Sequence, residues 1–140
     1  MNVSDNNRWV RAMILFGVGY AFVGVTFPVL ANLSTLGEMQ SISRWAAWLV
    51  SVVAFMVHIV YEHFRQRGSP SLIALHASLA AALGSFGLAV AANVHELLAT
   101  PNYRPSLALA LVLWPIITAV PAFMVAFAAA AGLGRIRPMS

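Results

Sequence analysis

The run RWAAWLVSVVAFMVHIVYEHF (residues 44–64), the break RQRGSP (65–70) and the run SLIALHASLAAALGSFGLAVAANVHELL (71–98) decide the class of this chain. A hydrocarbon core of about 30 Å is crossed by about 20 helical residues rising 1.5 Å each. Both runs reach that length, and residues 9–31 and 106–133 add two more of the same kind. Of the 140 residues, 61% are hydrophobic and 9% charged, too few charges to cover a water-facing surface. Transmembrane β-strands would alternate polar and apolar residues over about ten positions, and no such pattern occurs. The expected fold is all-α: one integral membrane domain, residues 1–140, of four antiparallel transmembrane helices.

The basic residues set an expected orientation. All eight are arginines. Arg8 and Arg11 precede the first span, Arg65 and Arg67 lie between the second and third, and Arg135 and Arg137 follow the fourth. Only Arg44 and Arg104 fall on the opposite side. The positive-inside rule then places both termini in the cytoplasm, with the protein in a plasma (inner) membrane. Trp9 and Tyr61 fit an aromatic belt at the inner boundary, and Trp45, Trp48 and Tyr103 one at the outer boundary. The net charge of +4 follows from this topology. No basic cluster exceeds two residues, so no nucleic-acid partner is expected. Arg8, Arg11 and the residues up to Val29-Leu30-Ala31 have the outline of a secretory signal, but the length of the run favours a span.

The absence of cysteine removes disulfides, thiol catalysis and thiolate metal sites. The absence of lysine removes Schiff-base chemistry. The connection 32–43 is polar, carries Glu38 and is expected to lie along the outer surface. The third span is rich in small residues, among them Ala80, Gly84, Gly87 and Ala91, whose spacing lets helix backbones approach closely. Gly17, Ala21, Gly24 and Pro28 make a matching seam on the first span. The third span is therefore expected at the centre of the bundle, with residues 126–131 as another close-packing surface. In the fourth span, Trp114-Pro115 and Pro121 predict a kink, or a local opening that could gate a path.

The second span carries a polar stripe. At 100° per residue, Arg44, Ser51, His58, Glu62 and Arg65 fall within an arc of about 60°, with Tyr61 at its border. Such a stripe is costly against lipid, so it should face the bundle interior or a second protomer. His58 stands ten residues before Gly68 and His76 eight after it. If spans two and three form a hairpin, both imidazoles lie about 10 Å from the inner boundary. His58, Glu62 and His76 thus form a candidate site, with Tyr61 and Ser51 beside it. Imidazole titrates near neutral pH, so the group could pass protons; alternatively, two nitrogens and a carboxylate could hold a divalent metal. The order His58…Glu62-His63 is not that of the zinc peptidases. Paired histidines can also ligate haem, but nothing else points to one, and the cofactor is left unknown. Glu62 could instead pair with Arg65. His63 is expected to be solvated, and His95 and Glu96 to form a surface ion pair near Arg104.

Three functions are compatible with these residues. The first is a channel or transporter for protons, ions or small solutes, working as an oligomer. The second is a non-catalytic subunit or scaffold of a larger membrane complex. The third is a membrane-embedded enzyme acting on an apolar or lipid substrate through His/Glu chemistry. The bilayer is an expected partner, together with further copies of the chain or the other subunits of a membrane complex.

Overall fold

The computed structural model describes residues 3–33, 37–66, 69–99 and 105–136. These form four helices: α1 (Val3–Leu33), α2 (Gly37–Gln66), α3 (Pro70–Ala99) and α4 (Pro105–Ile136). Each is long and apolar enough to cross a membrane. The helices hold 30 to 32 residues, about 45 Å of rise, so each exceeds the hydrocarbon thickness and must tilt or project beyond it.

Helix α2 starts at Gly37, well before Arg44, where the expected span begins. The polar stretch expected as an outer connection is therefore largely helical. Its polarity marks the end of the hydrocarbon, not of the helix, since helical hydrogen bonds form equally well in the interfacial layer. Glu38 stands in the first turn, where a negative charge complements the helix dipole. Helix α3 begins at Pro70, whose missing N–H is no loss in a first turn. Ser69 caps it: its carbonyl accepts from the Leu72 and Ile73 amides at 3.0 and 3.1 Å, and the Leu72 amide also approaches the Ser69 hydroxyl at 3.4 Å.

Helix α3 carries most of the buried positions and packs against α1 on one side and α4 on the other. The seam with α1 is made by glycines. A methyl group added at Gly84 would stand 2.6 Å from the Tyr20 Cβ and 3.2 Å from the Gly17 carbonyl oxygen. One added at Gly87 would stand 2.9 Å from the Ala21 Cβ. Gly17 and Gly24 in turn receive the side chains of Leu83 and Leu88. Without a hydrophobic drive between helices in lipid, such close backbone approach is the main source of association. Pro28, expected in the same seam, is exposed.

On the other side, Ala74 and Ala77 of α3 meet Ala126 and Ala130 of α4, with Ile59 of α2 and Ile73 filling the cluster. Asn93 ties the far end of α3 to α4. Its amide donates to the Ala89 and Leu107 carbonyls, each at 2.8 Å. Helix α4 runs unbroken through Pro115 and Pro121, so the expected opening of its backbone is not seen. The Thr118 hydroxyl donates to the Trp114 carbonyl at 2.7 Å, between the two prolines. Helix α2 leans on α1 and touches α3 and α4 less.

Candidate functional site

The few contacts of α2 with α3 include a polar one. Glu62 and His58 are one turn apart on α2, both turned inward, at 1% and 0% exposure. His76 of α3 is 5% exposed. Its Nδ1 stands 3.1 Å from Glu62 Oε2. An ionised carboxylate only accepts, so Nδ1–H of His76 donates this bond. On the other side, His58 Nε2 lies 3.8 Å from Glu62 Oε1. That separation is too long for a hydrogen bond and too short for an interposed water. A small rotation of either side chain would close it. Among the described residues, His58 Nε2 has no hydrogen-bond partner.

One face of each imidazole is covered by α1. The Phe16 ring lies on His58, centroids 4.0 Å apart and planes 8° from parallel. Trp9 stacks in the same way on His76, at 4.5 Å and 5°. The Tyr20 hydroxyl reaches His58 Nδ1 at 3.4 Å, a long contact. The carboxylate beside Nε2 only accepts, which favours the tautomer with its proton on Nε2; Nδ1 then accepts from the phenol. A chain of four groups results, Tyr20–His58–Glu62–His76, walled by two aromatic rings from a third helix. Aromatic faces accommodate imidazolium as well as imidazole.

Trp9, Phe16 and Tyr20 were not legible as site residues. Trp9 reads as an interfacial anchor, yet it is half-buried against His76. The signal was present, since the three aromatics fall within an arc of about 40° on α1. The other expected members of the site do not join it. Ser51 stands two turns before His58, and its hydroxyl donates to the Ala47 carbonyl of its own helix at 2.8 Å. A hydroxyl satisfied in this way has no need of the interior. Ser51 and the exposed Arg44 instead line an outward groove with Phe27, Pro28 and Trp48. Tyr61, 44% exposed, lies on the outer side of Phe16 at 6.3 Å between ring centroids. Trp114 and Pro121 are exposed and Pro115 half-buried, whereas the α4 residues buried with Ile59 are Ala126 and Ala130. The side chain of Arg65 lies outside the described residues, and Glu62 turns to the histidines. His63 is half-buried rather than solvated, with Nε2 enclosed and its ring edge-on to Phe64. His95 is exposed beside the half-buried Glu96, and Arg104 lies outside the described residues.

The geometry bears on metal binding. Both carboxylate oxygens face imidazole nitrogens, so the three groups address one another and do not converge on a common point. Among the described residues no group of three His, Asp or Glu side chains is arranged to hold a metal ion. What the arrangement can do chemically is hold and move a proton. With one proton added, a carboxylate and two imidazoles carry no net charge. No known protein family, curated protein or solved structure matches this chain.

Proposed function

We propose that the protein is a small multi-pass membrane protein that handles protons at His58, Glu62 and His76, as a channel or proton-coupled carrier built from more than one copy. One observation carries this reading: a carboxylate is enclosed between two imidazoles within membrane-crossing helices. Intramembrane ionisable groups are costly and usually functional. A proton taken up on the far nitrogen of either imidazole can pass inward through the near nitrogen to Glu62. His58 is the adjustable link, because its contact with Glu62 is open by several tenths of an ångström. The two grooves on α1 and α2 lie at opposite ends of that helix pair, which favours an oligomer as the source of any continuous path.

The reading includes an antiparallel course with both termini cytoplasmic. Early α1 residues meet Tyr61 near the end of α2, and Phe27 and Pro28 meet its beginning. The arginine distribution supplies the orientation.

The test is proton flux into liposomes holding the purified protein and a pH-sensitive dye. Flux above protein-free vesicles is expected, and it should fall to background in Glu62→Gln and His58→Ala. Undiminished flux in both variants would end this reading.

A scaffold reading has its own support, because the bundle also packs closely away from the site, at the Gly84–Tyr20 seam and where Ala74 and Ala77 meet Ala126 and Ala130. Under that reading the double variant His58→Phe/His76→Leu keeps its fold, oligomeric state and partners unchanged.

A further inference from the structure

A second groove lies on the outer side of Phe16. It is bounded by Arg8, Arg11, Ala12, Leu15, Phe16 and Tyr61 and has a volume of about 470 Å³. Its two ends differ in chemistry. Arg8 and Arg11 are one turn apart on the same side of α1, both exposed, and neither has an ion-pair partner among the described residues. Below them the walls are Ala12, Leu15 and Phe16, with the Tyr61 ring facing from α2. The apolar part of α1 begins at Arg8, so the guanidinium groups stand at headgroup depth and the apolar walls at acyl-chain depth.

We infer that this groove binds one anionic phospholipid, its phosphate held between Arg8 and Arg11 and its first acyl segment lying along Leu15, Phe16 and Tyr61. Guanidinium groups bind phosphate oxygens in pairs and in a defined plane. The volume lies within the range of small-ligand sites. A free inorganic anion would use the arginines but gain nothing from the apolar walls. Arg135 is also exposed at a helix end, but it does not line this groove, and it serves as the control for diffuse surface charge. The bound lipid would rest one aromatic ring away from His58, since the same Phe16 ring covers that imidazole. The inference does not depend on the proton reading, and its test measures no flux.

The test is native mass spectrometry of the full-length protein in detergent, titrated with dioleoyl phosphatidylglycerol or dioleoyl phosphatidylcholine. The wild-type protein is expected to retain one phosphatidylglycerol at concentrations where phosphatidylcholine gives no adduct. Replacing both arginines (Arg8→Gln/Arg11→Gln) should weaken that adduct by about twenty-five-fold, from roughly a factor of five for each charge. The melting temperature should not change, because both side chains are exposed. Arg135→Gln should bind as the wild type does. Equal binding by the double variant, or equal loss in Arg135→Gln, would overturn the inference. So would displacement of the lipid by glycerophosphate as readily as by the intact lipid, which would make the groove a site for free anions.

Discussion

Phe16 lies flat on His58, with the ring centroids 4.0 Å apart and the planes 8° from parallel. One face of a single α1 side chain thus covers a buried imidazole, while Tyr61 approaches it from elsewhere. The polar group on α2 and α3 is sealed by a helix that contributes no charge to it.

Removing that cover should loosen the site before it unfolds the bundle. Phe16→Ala is expected to cost about 2 kcal/mol, since a half-buried ring loses packing and stacking but leaves no polar group newly unpaired. Phe16→Leu should recover about half of the loss. Unfolding in mixed micelles followed by circular dichroism measures both. A cost near zero for Phe16→Ala would show that the stack contributes nothing to stability.

The two histidines should couple unequally to Glu62. His76 donates at 3.1 Å, whereas His58 stands at 3.8 Å without a hydrogen bond. Polar contacts in membrane bundles average about 0.6 kcal/mol and reach about 1.7. Double-mutant cycles with Glu62→Gln should therefore give about 1.5 kcal/mol with His76→Phe and about 0.5 with His58→Phe. Equal or reversed couplings would contradict the geometry.

Much of this site was readable from spacing. His58 and Glu62 are four residues apart, which puts them on one helix face, and counting from Gly68 brought His76 to the same depth. Both inferences use only helical rise and period, and the contacts between these residues agree with them. The readings that failed share a cause: side-chain chemistry was taken for environment. Ser51 looked like part of an inward stripe, but its hydroxyl is satisfied by the Ala47 carbonyl of its own helix. Residues 37–43 looked like a loop because they are polar, yet they are helical. The stacking of Trp9 on His76, by contrast, is an addition to its expected place at the inner boundary and not a contradiction of it. That contact depends on how α1 packs against α3, and the packing follows from where Gly17, Gly84 and Gly87 allow close approach.

Orientation can be read directly because the chain contains no cysteine. A single cysteine at exposed Ser69, before α3, and another at exposed Ala99, at its end, should label from opposite sides. With both termini cytoplasmic, Ala99→Cys should react with a membrane-impermeant maleimide in intact cells, and Ser69→Cys only in inverted vesicles. The reverse pattern would invert the topology, and labelling of both from one side would exclude α3 as a span.

Glycine substitutions should separate seam from surface, and the seam should report on the site. A methyl group at Gly84 would meet the Tyr20 Cβ at 2.6 Å and the Gly17 carbonyl oxygen at 3.2 Å, neither of which is the free end of a flexible side chain. Gly84→Ala must therefore push α1 and α3 apart, at about 2–3 kcal/mol. At Gly24 the nearest atoms belong to the end of the Leu88 side chain, which can change rotamer, so Gly24→Ala should cost less, about 1 kcal/mol. Gly19 has nothing within 4 Å, and Gly19→Ala should be neutral or stabilise by up to about 1 kcal/mol through helix propensity. Because Tyr20 both meets Gly84 and reaches His58 Nδ1, Gly84→Ala should also move the phenol away from the imidazole. Its effect on stability should then be non-additive with that of Tyr20→Phe, while Gly19→Ala adds independently. Additivity of Gly84→Ala with Tyr20→Phe would show that the seam and the site are mechanically separate.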